Sequence, residues 1–218
     1  MNEPTLEPQR TALLFFDTLK VYLLDRGTGE VRSEARAQVA SCRRMLEAAR
    51  NLKLAVVYAA ADHRPDGADW ATAVTDTNAD RFVPLAGRPR LRPATTRGSD
   101  GAEVIDQLAP EAADYIIRKH RWSAFQGTHL ELSLRTAGID TVCIAGGSTE
   151  VGVAATAYQA RDKDFNVVIL RDGCRSSKPE IDEYFMEHVF PRLGRVRSVD
   201  ETIALLGAGA AGRATAEL

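Results

Sequence analysis

Thr11-Ala12-Leu13-Leu14-Phe15-Phe16-Asp17 and Leu54-Ala55-Val56-Val57-Tyr58-Ala59-Ala60 are apolar runs of strand length, and the chain between them changes period. There Val39, Cys42, Leu46, Ala49 and Leu52 recur three or four residues apart, so Glu34 to Asn51 reads as an amphipathic helix. A helix-length crossover between two strands of one sheet makes those strands parallel, a βαβ unit. Outward from this unit, similar runs follow at Tyr115 to Lys119, Thr141 to Ala145 and Asn166 to Leu170, with a weak one near Arg195 to Ser198. Near-continuous Val, Ile and Leu runs belong to strands covered on both faces. The expectation is a three-layer α/β/α domain with a six-stranded, mostly parallel, Rossmann-like sheet. Asp100…Glu103, Thr128…Glu131 and Ser198…Glu201 each have the spacing of a capped helix start.

The whole of 1–206 reads as a single domain, with a flexible Gly- and Ala-rich tail over 207–218. Ala61 to Gly98 carries Pro65, Pro84, Pro89 and Pro93 without sustained periodicity, and reads as a long loop region. A net charge of −2, from 28 basic and 30 acidic residues, leaves no electrostatic footprint for nucleic acid or an anionic membrane, so a small-molecule substrate is expected. No apolar run approaches the roughly 20 residues of a membrane helix. The amino terminus lacks the pattern of a secretory signal, which places the expected location in the cytoplasm. The three cysteines, Cys42, Cys143 and Cys174, form no CxxC pair and read as packing residues rather than disulfide or zinc ligands.

Ligands of open parallel sheets bind beyond the carboxyl ends of the strands. That rule selects Asp17 after strand one, Lys119 to Phe125 after strand three, and Gly146 to Gly152 after strand four. A carboxylate and a lysine brought together there would favour each other's charged forms while burial opposes both, a balance suited to proton transfer. Taken singly, an Asp ending a strand is more often a turn or cap residue, and a Lys is usually a solvated charge.

The longer segments are more specific. Lys119-His120-Arg121-Trp122-Ser123-Ala124-Phe125 resembles the Lys-x-Arg-aromatic-Ser-Ala-Phe segment of the isochorismatase-like superfamily, whose lysine is catalytic. Ala12 to Asp17 is similar to that family's first strand and catalytic aspartate. Gly146 to Ala157 resembles its Gly-x-x-Thr-x-x-Cys-x-x-x-Thr-Ala stretch, with Thr149, Thr156 and Ala157 in register. The resemblance runs from about Thr11 to Leu206. It implies the isochorismatase-like fold, assembly as a homodimer or homotetramer, and Asp17 and Lys119 as catalytic residues. It further implies substrate contacts from Gly147, Ser148 and Thr149, with a cis Gly147–Ser148 peptide; Trp122 and Phe125 are candidate pocket walls, with Phe125 equally readable as a core aromatic.

Two departures bear on function. The position of the amidases' nucleophilic cysteine is Gly152, so their thioester route cannot run in its usual form. Glycine is what true isochorismatases have there. By that resemblance Asp17 would protonate a vinyl ether as general acid, with Lys119 as its partner and no cysteine involved. Those enzymes, however, carry a Gln just beyond strand two, where this chain has Asp62-His63-Arg64; His63 and Arg64 are candidate contacts for a different substrate. The nicotinamidase-like branch binds zinc through Asp-x-His, but Asp62 and His63 are adjacent, so no metal and no other cofactor is expected. The alternative is an inactive binding or regulatory protein that kept the pocket and lost the nucleophile.

Overall fold

The computed structural model describes residues 4–69 and 95–216. Its sheet has the expected strands, β1 (Thr11–Phe16), β2 (Ala55–Ala61), β3 (Tyr115–Lys119), β4 (Thr141–Gly146), β5 (Asn166–Cys174) and β6 (Arg195–Arg197), in the order β3-β2-β1-β4-β5-β6. Every pairing is parallel. The chain starts in the middle and winds outward in both directions, so crossovers diverge between β1 and β4.

Alternation along β1 sorts the core into two layers. Leu13 and Phe15 face α2 (Arg36–Asn51) and α6 (Val199–Ala216), with Val39, Cys42, Met45 and Leu206 packed against them. Ala12, Leu14 and Phe16 face the opposite layer, which includes α3 (Leu130–Thr136) and α4 (Ala154–Asp162). The short helices α1 (Lys20–Leu23) and α5 (Pro179–Tyr184) lie nearer the carboxyl edge. Burial on both faces explains why the strands are continuously apolar. No described helix is long and apolar enough to cross a membrane.

The expected helix starts meet three fates. Ser198 and Glu201 cap α6 reciprocally: Ser198 Oγ accepts from the Glu201 N–H at 3.2 Å, and the Glu201 carboxylate accepts from the Ser198 N–H at 2.7 Å. At α3, Thr128 Oγ accepts from Leu130 N–H, but Glu131 turns away to pair with Lys163. Asp100…Glu103 begins no α-helix, only the single 3₁₀ turn Asp100–Ala102. There the backbone is committed elsewhere: Glu103 O accepts from Lys20 N–H, and Ile105 N–H donates to Thr18 O. These bonds compete with helical ones, and Asp100 pairs with Lys20 at 2.8 Å instead.

Two boundaries differ from expectation. β5 extends past Leu170 to Cys174, so Cys174 ends a strand rather than lying beyond one. The stretch from Gly207, expected as a loose tail, continues α6 to Ala216. Alanine favours the helix, and Gly209 lets it lie against the amino-terminal segment, since a Cβ there would come 2.0 Å from Leu6 O. The expected loop region Ala61 to Gly98 lies largely outside the described residues. Of its ends, Ala61 closes β2 and His63 forms a parallel bridge with Thr96.

Candidate active site

Asp17 follows β1 with a left-handed backbone, φ 49°, a conformation that Asp tolerates better than most residues. Its N–H donates to Ala59 O at 2.9 Å, which ties the turn to β2. The carboxylate has two described donors: Oδ1 accepts from Ala61 N–H at 2.8 Å, and Oδ2 accepts from Lys119 Nζ at 2.8 Å. Lys119 ends β3, with β2 between it and β1, and Ala59-Ala60-Ala61 keeps the end of that intervening strand free of bulk. The ammonium lies 4.1 Å from the centre of the Phe16 ring. Side-chain exposure is 4% for Lys119 and 10% for Asp17, so the pair is shielded from water.

From β4 the chain turns through Gly146, at φ 135°, where a Cβ would come 2.0 Å from Phe16 O. The Gly147–Ser148 peptide bond is cis. A π-helical turn, Thr149–Val153, then leads into α4 and presents the Gly152 backbone. These segments enclose a cleft of about 400 Å³ with Asp17 and Lys119 in its wall, together with Trp122, Gly147, Ser148 and Gly152.

Other expected contacts go elsewhere. Phe125 is 5% exposed and packs 5.6 Å from Phe165, centre to centre, as a core residue. Thr149 is fully buried with its hydroxyl on Asp182. Arg64 pairs with Asp66 at the surface, and His63 belongs to a separate cluster with Asp69 and His120. In that cluster burial lowers the His63 pKa, against the raising effect of Asp69. One ligand atom from each of the three lies within 4.8 Å of the others, so they could hold a cation, a grouping that the adjacent Asp62 and His63 gave no reason to expect. Asp62 is not among them, because its carboxylate binds Arg97 at 2.8 Å.

The cleft also contains residues that the sequence reading passed over. Tyr22, 43% exposed as a residue, contributes a phenol raised above its usual range by desolvation at its cleft-facing end and then by the negative charge of Asp17. Gln38 projects from α2 and donates to Gly146 O and Gly173 O, leaving its buried Oε1 without a partner among the described residues. Arg175 follows β5. Among the described residues its Nη1 donates to Ser176 O, its buried Nε has no hydrogen-bond partner, and its charge lowers the Glu34 pKa without forming an ion pair. A polar residue on an otherwise apolar helix face was the available sign for Gln38; Arg175 was hidden by the underestimated length of β5.

A larger cavity, about 670 Å³, opens at the opposite edge of the sheet near Arg10 and Asp140. Those two charges pair with each other, and the cavity lies away from the carboxyl strand ends where the acid–lysine pair sits.

Comparison with known proteins bears on the family and the fold. Residues 11–201 match the isochorismatase domain. An uncharacterised isochorismatase family protein of Bacillus subtilis, YwoC, is 30% identical over 201 residues, covering 92% of this chain and 96% of its own. Another from Escherichia coli O157:H7, YecD, is 45% identical over 99 residues, a match spanning 45% of this chain and only 53% of that protein. The solved isochorismatase family protein BTH_II2229 of Burkholderia thailandensis superposes with a TM-score of 0.75 at 28% identity, covering 94% of this chain and all of its own. With the domain matched from the first residue of β1 into α6 and the sheet reproduced in a solved relative, the chain belongs to the isochorismatase family of hydrolases.

Proposed function

We propose that this chain hydrolyses a small carboxylated metabolite without a cysteine nucleophile, with Asp17 as general acid and base and Lys119 as its partner. The observation that carries this reading is the shielded Asp17–Lys119 pair, 2.8 Å apart, in a cleft where position 152 has no side chain. Vinyl-ether hydrolysis suits these groups. Asp17, protonated from solvent to enter the cycle, delivers that proton to the enol carbon, and water adds to the resulting oxocarbenium carbon and returns a proton to the Asp17 carboxylate. The hemiketal then collapses to an alcohol and a keto acid. Lys119 holds the carboxylate in place, and its ammonium counters the negative charge left on Asp17 after protonation. Arg175, which lines the cleft and forms no ion pair among the described residues although its charge reaches Glu34, is suited to hold a substrate carboxylate through charge-assisted hydrogen bonds.

A second reading, a binding or regulatory protein on this scaffold, is favoured by one observation. No residue from Tyr58 to Arg64 lines the cleft, so the polar contact that true isochorismatases place after strand two has no counterpart among the described residues there.

The test is hydrolysis of isochorismate, maleamate, nicotinamide and N-carbamoyl amino acids by the native protein, Asp17→Ala and Lys119→Ala. Turnover of isochorismate by the native protein alone supports the vinyl-ether route. No turnover anywhere, with binding of an isochorismate-like carboxylate retained, supports the second reading.

A further inference from the structure

Phe16 occupies a decisive place in the cleft. It ends β1 on the same face as Ala12 and Leu14, and only 2% of it is exposed. A Cβ placed on Gly152 would lie 1.9 Å from Phe16 Cε1, 2.3 Å from Cζ and 2.8 Å from Cδ1. No real Cβ contact is that short, so the ring already fills the space into which a side chain at 152 would project. The main chain that carries the ring is held in place: its carbonyl accepts from Gly147 N–H at 3.1 Å, and Gly146 is pressed against the same carbonyl, so the ring could leave this space only by side-chain rotation within the core. The ring also has Lys119 Nζ 4.1 Å from its centre, at cation–π distance.

We infer that Phe16 is a specificity-determining residue that closes this site to covalent catalysis from position 152, its ring filling the nucleophile's space while supporting the Lys119 ammonium. The empty position in sequence is therefore not empty in space. A substrate in the cleft rests against an aromatic surface, and what reaches its reactive carbon is water or Asp17. Mutation of Gly152 to cysteine by itself does not restore a usable thiol; shortening Phe16 is the required second change. The inference rests on the proposed function only in taking this cleft as the substrate site.

The test compares the full-length native protein, Gly152→Cys, Phe16→Ala and the double variant Phe16→Ala/Gly152→Cys. Each is followed by thermal unfolding and by iodoacetamide alkylation under native conditions, with the modified residue located by mass spectrometry. The background is favourable, because Cys42, Cys143 and Cys174 are 1%, 0% and 7% exposed. The expected result is a strongly lowered Tm for Gly152→Cys with no stable, rapidly alkylated thiol. The double variant is expected to lose less Tm than the two single losses combined, and to be alkylated at the introduced thiol at least tenfold faster than at any native cysteine. A Gly152→Cys protein as stable as the native one and alkylated as fast as the double variant would overturn the inference. If the cysteine variants do not fold, Gly152→Ala and Phe16→Ala/Gly152→Ala supply the same comparison, and strictly additive Tm losses would overturn it. Neither readout requires turnover, so a native protein that fails to hydrolyse any substrate refutes the proposed function without touching this result.

Discussion

Replacing Lys119 by methionine keeps most of its apolar stem but removes the charge opposite Asp17. The two groups are 2.8 Å apart, with side-chain exposures of 4% and 10%. At an effective dielectric near 20 the gross attraction is roughly 4–6 kcal/mol, most of it offset by the desolvation of both ions. Loss of one partner does not return that desolvation, since the other charge stays buried, and this typically costs about 3–5 kcal/mol. Asp17 retains one donor, the Ala61 N–H, so Lys119→Met falls at the lower end, about 3 kcal/mol. For a chain of this size that is a fall in Tm of roughly 6–12 °C. Asp17→Asn keeps the Ala61 bond and tolerates the left-handed backbone, yet strands the ammonium, so it loses a similar amount. In Asp17→Asn/Lys119→Met both charges are gone, and the loss should be smaller than the sum of the single losses by at least about 2 kcal/mol. Urea unfolding of the four proteins measures the cycle. Losses additive within about 0.5 kcal/mol would mean that the two groups do not interact and that Lys119 does not hold the Asp17 carboxylate.

The native thiols should be inert. Burial pushes Cys42 and Cys143 up to about 12 and raises Cys174 as well, so Ellman's reagent at pH 8 should label none in the folded protein and all three after denaturation; rapid labelling of the native chain would contradict this. His63 should make folding sensitive to mild acid. Its folded pKa lies below the ordinary 6.5, so below that value the unfolded chain binds the extra proton and stability falls as pH drops towards the folded pKa. His63→Asn should therefore flatten the dependence of stability on pH below about 6.5, and an unchanged slope would show that the imidazole is not kept neutral by the fold. In α6, Gly209→Ala places a Cβ 2.0 Å from Leu6 O and should cost about 1–3 kcal/mol, whereas Gly207→Ala meets nothing within 4 Å and should gain up to about 1 kcal/mol. Equal effects in thermal unfolding would place the helix elsewhere than against Leu6.

The strands were legible because each lies buried between two helical layers, where a continuous apolar run is the only pattern that satisfies both faces. β5 was cut short because Arg171 and Asp172 interrupt that run, and the register slips between Ile144 and Gly146, so the pairing resumes at Cys174 without a periodic signal. The same error concealed Arg175, which follows directly after. Asp17 and Lys119 were legible from the rule about strand ends combined with the motif around Lys119. Phe125 was open between pocket wall and core, since it and Trp122 are aromatics in one irregular segment; the turn sends Trp122 to the cleft and Phe125 to the core.

Gly152 shows most clearly where reading along the chain stops. In sequence it is a glycine where the resemblance would allow a cysteine, and nothing near it along the chain accounts for the difference. The compensation lies 136 positions earlier, at Phe16, and becomes visible only through the β1–β4 register that sets Phe16 beside Gly146 and brings the following turn over its ring. A simple vacancy would leave a water-filled hole beside the acid. A ring in that space instead keeps the floor dry and shields the Asp17–Lys119 pair, so the two charges interact more strongly than they would in water. On this argument the glycine and the phenylalanine are one feature. A relative that carries glycine at this position but a small residue before its aspartate should have a wetter cleft and a weaker ion pair, and a double-mutant cycle on its acid and lysine should give a coupling energy well below that of this chain.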